Sequence, residues 1–245
     1  MTPTPVGMRC PECANQKTRV TRGAVGPGRY DNPATYVLIA LNVAVYLAEI
    51  AGGSGGLSGT GGTVISDFGL QGATVADGEW YRLLTGGFLH ASLFHIGFNM
   101  FALYILGRLL EPAIGTPRFV ALYFASLFAG SFGALALSGP LDVTVGASGA
   151  VFGLFGAAFL IARSRGMGTI ASELGFLLLI NLALSFVLPR LSVGGHLGGL
   201  AGGLVCALAI IAGERGRLGR QRLPLELLAI AGLALVVIAG ALSVA

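Results

Sequence analysis

The chain has 245 residues, of which 54% are hydrophobic and 11% charged, with a formal net charge of +4 and a mean hydropathy of +0.81. Soluble domains carry about 25% charged residues, so the composition excludes a water-soluble globular domain and calls for a bilayer as solvent; no nucleic-acid partner is expected. Three cysteines, Cys10, Cys13 and Cys206, with the last in an apolar run, exclude a disulfide scaffold.

Residues 1–33 are polar, with scattered Pro and Gly and no apolar stretch directly after the start. They read as a flexible cytoplasmic tail rather than a cleaved signal peptide. Cys10-Pro-Glu-Cys13 is half a zinc knuckle, but a structural zinc site needs about four ligands and the tail has no other Cys or His. A free pair is expected there, and neither a metal nor a cofactor is expected anywhere in the chain.

Seven apolar stretches are long enough to consider as spans: Ala34–Gly52, Ser92–Leu110, Phe119–Leu137, Ser148–Ala162, Ile170–Leu188, Val193–Ala212 and Leu225–Ala245. This makes an all-α polytopic membrane protein, with six spans over 34–212 and a basic loop plus a seventh span over 213–245. Basic residues sort with the spans. The tail, the second, fourth and sixth connections hold 13 of the 15 Lys+Arg, and only Arg82 and Arg190 fall on the other side. By the positive-inside rule the N-terminus is cytoplasmic and the C-terminus outside. Between the first two spans, residues 53–91 form a long outer connection. Its Gly52–Gly62 part is a flexible linker; its Ile65–Leu89 part, with Asp67, Asp77, Glu79, Trp80 and Arg82, is expected at the outer interface.

Polar side chains within spans are costly and mark function or helix contacts. Those of this chain converge near the outer ends of the spans: His90, His95, Ser148 and His196. The fourth span is only about 22 Å long at 1.5 Å per residue, short of the roughly 30 Å hydrocarbon core. If the loop Gly139–Ala147 dips inward to meet it, Ser148 lies about 8 Å deep. His196 follows Arg190 by six residues on the sixth span, placing it about 9 Å down. A serine is a poor nucleophile until a neutral imidazole takes its proton, so the matched depths make Ser148 and His196 a candidate nucleophile and base. A helix starting at Ser148 also offers unpaired backbone N–H groups to an oxyanion. His95 and Asn99, spaced i,i+4 on one face of the second span, are the expected side-chain donors. Gly195, Gly199 and Gly203 recur every four residues, which lets helix backbones approach closely. Phe152, one turn past Ser148, is expected to pack against the His196 ring. Glu49 is expected to face the outer interface, and Asn42 and Asn181 to make helix contacts. The zinc-protease pattern His-Glu-x-x-His is absent, and no acidic ligand accompanies the histidines.

At these residues the sequence resembles the rhomboid family of intramembrane serine proteases. The resemblance runs from about the first span to the sixth. Gly146-Ala147-Ser148-Gly149 matches the family's Gly-x-Ser-Gly motif, His196 and its glycines match the sixth-span motif, and His90, His95 and Asn99 match a His-x4-His-x3-Asn pattern. It implies a Ser148–His196 dyad with no catalytic carboxylate. His95, Asn99 and the Ser148 amide would bind the oxyanion, and His90, Gly146, Gly149, Phe152, Gly195 and Gly199 would shape the site. The family's Trp-Arg pair is split here as Trp80-Tyr81-Arg82, Phe152 stands where many members carry Tyr, and a seventh span occurs in only some members. The expected partners are single-pass transmembrane substrates and the lipid bilayer, with a second copy of the chain left open. The expected location is a bacterial cytoplasmic membrane. The fifth span, Ile170–Leu188, is the expected door for substrate. A catalytically inactive rhomboid-like binding factor is the main rival reading. A transporter would need polar residues through both leaflets.

Overall fold

A bilayer offers no water to backbone N–H and C=O groups, so each apolar run must close its hydrogen bonds within itself as a helix. The computed structural model describes residues 2–4, 7–9, 32–53, 62–188, 191–215 and 222–244. Seven long helices appear among them: α1 (Pro33–Ala51), α5 (Leu93–Ile114), α6 (Thr116–Leu137), α7 (Ser148–Ser164), α8 (Gly168–Val187), α9 (Val193–Arg215) and α10 (Arg222–Val244). Three short helices, α2 (Thr63–Phe68), α3 (Gly72–Ala76) and α4 (Arg82–Thr85), fold the connection between α1 and α5. The all-α polytopic architecture expected from sequence is the one observed. Five of the long helices are long and apolar enough to cross a membrane, and Ser148–Ser164 and Ile230–Val244 are shorter apolar stretches. Strands Thr2–Thr4 and Gly7–Arg9 form a separate antiparallel hairpin in which Thr2 pairs with Arg9. Cys10, Cys13, most of the tail and of the glycine linker, and Arg190 lie outside the described residues.

The span boundaries shift where local chemistry differs from hydropathy. The second helix runs past Leu110 to Ile114, so Glu111 and Pro112 are helical rather than loop residues. Gly115, at φ 87°, then turns the chain directly into α6. The extension has a purpose in the fold. Glu111 is buried and its carboxylate accepts from the N–H groups of Ala34 and Thr35 (3.0 and 2.9 Å), the Thr35 hydroxyl (2.7 Å) and the Thr116 hydroxyl (2.8 Å). It therefore caps the N-terminus of α1, where unpaired N–H groups and the helix dipole favour an anion.

The core lies where α6, α7 and α9 meet, with α5 and α8 packed on α7, α1 on α5, and α10 on α6. Phe119, Leu122, Tyr123, Leu154 and Ile210 are fully buried there. Helix α9 has two small-residue seams rather than the single one read from its every-fourth glycines. A Cβ on Gly199 or Gly203 would come within 2.0 or 2.1 Å of the Gly149 or Gly153 carbonyl oxygen of α7. On the adjacent face, Gly194 and Gly198 lie against the Gly133 and Ala129 carbonyls of α6. The bare backbones are thus in contact on both sides, which is the close approach that small residues permit in membranes.

Two expectations about polar residues need correction. Glu49 does not face the interface: it is buried, and its carboxylate accepts from the His90 N–H at 3.1 Å. Asn181 is exposed and donates to its own Leu177 carbonyl at 2.8 Å, so it satisfies itself within α8 instead of bridging helices. Asn42 is buried, with its amide on the Leu38 carbonyl.

Candidate active site

The loop before α7 is held by the connection between α1 and α5. Leu70 and Thr144 exchange backbone hydrogen bonds (3.1 and 2.8 Å), the Gly146 N–H donates to Gly86 O (2.9 Å), and the Ala73 N–H donates to Pro140 O (2.9 Å). That connection is itself organised by Arg82. Its side chain is buried, donates to the Ser66 and Gly69 carbonyls and pairs with Glu79, while Trp80 is 64% exposed. The Arg82 hydrogen bond, seconded by that from the Tyr81 hydroxyl, holds the Glu79 carboxyl below the usual carboxylate range. Ser131 of α6 anchors the assembly by donating to Leu83 O at 2.8 Å. The Ile65–Leu89 stretch, read from sequence only as interfacial, is thus a folded clamp over the α7 N-terminus.

Gly146 has φ 122°, a conformation that L side chains rarely adopt, and a Cβ there would lie 2.6 Å from the His95 ring. Glycine at this position therefore lets the loop turn and brings the imidazole of α5 against the α7 entrance. Helix α7 begins at Ser148, with Ala147 as its N-cap and no side chain capping it. The first N–H groups of α7 are accordingly free of an intrahelical partner, beside the Ser148 hydroxyl.

His196, in the first turn of α9, points its Nε2 at Ser148 Oγ across 2.9 Å. Its ring is stacked on Phe152, with centroids 4.1 Å apart and planes 15° off parallel. Stacking fixes the imidazole plane, and the Gly199–Gly149 contact fixes the distance between the helices that carry the pair. His196 is buried and Ser148 half-buried. On one side of Ser148 lies a cavity of about 30 Å³, bounded by Gly146, Gly149, Gly130, Ser192 and Gly195.

The remaining residues singled out from sequence stand around this pair. Asn99 is buried and donates to the His95 carbonyl at 3.1 Å, one turn back on α5. His90 is buried, its ring edge-on to that of His95 at 5.1 Å and its Nδ1 3.2 Å from Phe88 O. It touches neither Ser148 nor His196 and instead supports His95. Asp142 accepts from the Gly139 N–H of its own loop at 2.7 Å and is remote from the pair's hydrogen bonds.

Sequence reasoning missed one residue. Ser185 of α8 is buried and its Oγ lies 2.6 Å from His196 Nδ1. The signal was present but faint: a serine three residues before the end of the fifth span, the end that leads into the sixth.

Known proteins are similar to this chain across the helices that carry the pair. The rhomboid domain family matches residues 77–213. The chain is 35% identical over 198 residues to rhomboid protease GluP of Bacillus subtilis, covering 79% of this chain and 38% of that one. It is 36% identical over 141 residues to the putative rhomboid protease YdcA of the same organism, covering 56% of this chain and 70% of YdcA. Rhomboid-type serine protease 2 of Emericella nidulans is 32% identical over 158 residues, covering 61% of this chain and 31% of that protein.

Proposed function

Because the chain belongs to the rhomboid family, we propose that this multi-pass membrane protein is an intramembrane serine endopeptidase that cleaves transmembrane protein substrates near the outer leaflet. The observation that carries the reading is the 2.9 Å approach of His196 Nε2 to Ser148 Oγ, the reach a general base needs to take a hydroxyl proton.

The chemistry follows from the groups in place. Ser148 Oγ attacks the scissile carbonyl carbon as its proton passes to His196 Nε2. The carbonyl oxygen becomes an oxyanion, to which the Ser148 N–H at the start of α7 donates, with the His95 ring and the Asn99 amide completing the set. Collapse breaks the C–N bond, and the proton on Nε2 goes to the leaving amine. Water then gives a proton to Nε2 and attacks the acyl carbon, releasing the new carboxyl end and regenerating the serine. A substrate helix has its amides paired, so cleavage selects segments with helix-breaking residues near the cut. The substrate enters past α8, of which only Ala171, Leu174 and Ser185 are buried. The setting we assign is a bacterial cytoplasmic membrane, from the Gly-, Ala- and Arg-rich usage and plain architecture, with the N-terminus inside from the charge distribution; the domain bounds proposed are 1–33, 34–212 and 213–245.

An inactive rhomboid-like binding factor needs neither Ser nor His, and here both are present and in hydrogen-bond contact. The test is cleavage of a transmembrane reporter by the protein reconstituted in liposomes. Wild type is expected to cut, and Ser148→Ala and His196→Ala to lose cleavage entirely. Undiminished cleavage by either variant refutes the dyad.

A further inference from the structure

We infer that Ser185 is a positioning residue for catalysis: its hydroxyl accepts the Nδ1 proton of His196 and thereby keeps Nε2 unprotonated toward Ser148. The inference rests on the protease reading, because only a nucleophile in need of a base makes the tautomer matter.

A neutral imidazole carries one proton, and the partner of one ring nitrogen decides which nitrogen holds it. Ser185 has one proton to give and two neighbours to give it to. Its Oγ lies 2.9 Å from Asn181 O, four residues back on α8, and 2.6 Å from His196 Nδ1. The first contact is the usual back-bond of a serine in an apolar helix. With the hydroxyl proton directed to Asn181 O, the Ser185 lone pairs face His196 and can only accept. The imidazole proton then sits on Nδ1, and Nε2 presents its lone pair to the Ser148 hydroxyl. Every proton in the row has an acceptor: Ser148 O–H to Nε2, Nδ1–H to Ser185 Oγ, Ser185 O–H to Asn181 O. Reversing the row puts a proton on Nε2, strips the base of its lone pair and leaves the Ser148 proton to solvent.

The same bond serves the next step. When Nε2 takes the proton, both ring nitrogens become donors, and the charge that develops is met at Nδ1 by a neutral oxygen already in place. Preorganised acceptors of this kind lower the barrier because nothing has to reorient as charge appears. Burial adds to the effect: Ser185 and His196 are 2% and 4% exposed, so water has little access to stand in for a lost hydroxyl. Burial also explains how a site without a carboxylate orients its base. The acceptor comes from α8 and is neutral, which avoids the cost of an anion in the bilayer.

Two measurements test this. The first needs no substrate: the protein is prepared with 15N-labelled histidine in bilayers, and the ring nitrogens of His196 are assigned by their loss in His196→Gln. Wild type is expected to show a protonated Nδ1 and an unprotonated Nε2. A resting His196 that carries its proton on Nε2 overturns the inference even if the protein is an active protease. The second is kinetic. Ser185→Ala is expected to lower kcat about 10- to 100-fold, the worth of one hydrogen bond to a charged group, with KM unchanged. Ser185→Thr keeps the hydroxyl and is expected to restore most of kcat. Wild-type kcat in Ser185→Ala, or a Ser185→Thr variant no better than Ser185→Ala, refutes the role. Loss of activity in Ser148→Ala alongside an unaffected Ser185→Ala leaves the protease reading standing and removes this one.

Discussion

Replacing Gly199 by alanine places one methyl group where the α9 and α7 backbones touch. The new Cβ would stand 2.0 Å from Gly149 O, 2.6 Å from its carbonyl carbon and 2.9 Å from its Cα, all backbone atoms that no rotamer change can move. Restoring an ordinary 3.4 Å contact with the oxygen requires the helices to separate locally by about 1.4 Å. Gly149 is the neighbour of Ser148, and Gly199 lies three residues past His196, so the separation falls directly on the dyad. The Nε2–Oγ distance of 2.9 Å would open to about 4 Å, outside hydrogen-bond range.

Two magnitudes follow. Overpacking of a tight core costs about 1–3 kcal/mol, and a misplacement of about 1 Å at a reacting pair costs on the order of 100-fold in rate. Gly199→Ala is therefore expected to lower the thermal midpoint in detergent micelles modestly and to lower reporter cleavage by about two orders of magnitude. Gly232→Ala on α10, where a Cβ meets nothing within 4 Å, is the control and is expected to match wild type in both assays. A Gly199→Ala protein that cuts at the wild-type rate would refute the claim that bare-backbone contact sets the dyad distance. So would one whose loss of activity merely tracks its loss of folded protein.

Four further outcomes are expected. Glu111→Ala removes the acceptor for four donors around the start of α1 and should lower stability by about 3 kcal/mol or more, seen as a lower thermal midpoint in micelles. Phe152→Ala removes the ring beneath His196 and should reduce kcat about 2- to 10-fold, the worth of a stacked pair; Phe152→Tyr should keep near-wild-type activity in the reporter assay. Gly146→Ala meets both a positive φ and the His95 ring, so cleavage should fall sharply, with strain of about 1–3 kcal/mol appearing in thermal unfolding. Glu79 has a lowered pKa because Arg82 bonds its charged form. Its contribution to the outer clamp is therefore full above the ordinary carboxylate pKa and lost as pH falls through the lowered one. Limited proteolysis between Phe68 and Leu89 should rise in that acid range, and Arg82→Gln should raise it at neutral pH too.

The parts legible in the sequence were those set by solvent and spacing. Hydropathy placed all seven long helices to within four residues, because in lipid the backbone has no alternative to the helix. The fourth apolar stretch gave the correct start of α7 at Ser148. Phe152 could be set one turn past Ser148 by the 3.6-residue period, whereas His196, on another helix, was paired with Ser148 by matched depth and by the motif the sequence resembles. Three things were not legible, and each depends on a partner far along the chain. The connection between α1 and α5 carries no strong periodicity, so its fold around Arg82 comes from carbonyls at Ser66 and Gly69 that a sequence does not advertise. Glu49 and Glu111 look like residues at span ends seeking water, yet each is buried against backbone N–H groups of another element.

Ser185 was hidden for a related reason. Serines in apolar helices commonly bond back to their own helix, and Ser185 does so; what distinguishes it is the second neighbour, supplied by a fold that seats α8 beside the first turn of α9. That placement has a consequence for how the site works. The dyad's separation is fixed by α7 and α9, which meet along bare glycine backbone and have little freedom to part. The tautomer of its base is instead set by α8, the helix with few buried side chains. Distance is therefore held by a seam of bare backbone contact, and proton placement by a helix with few buried side chains. A substrate that displaces α8 on entry would disturb the second without the first, so the bound state must either return Ser185 to His196 or replace its hydroxyl with an acceptor of its own.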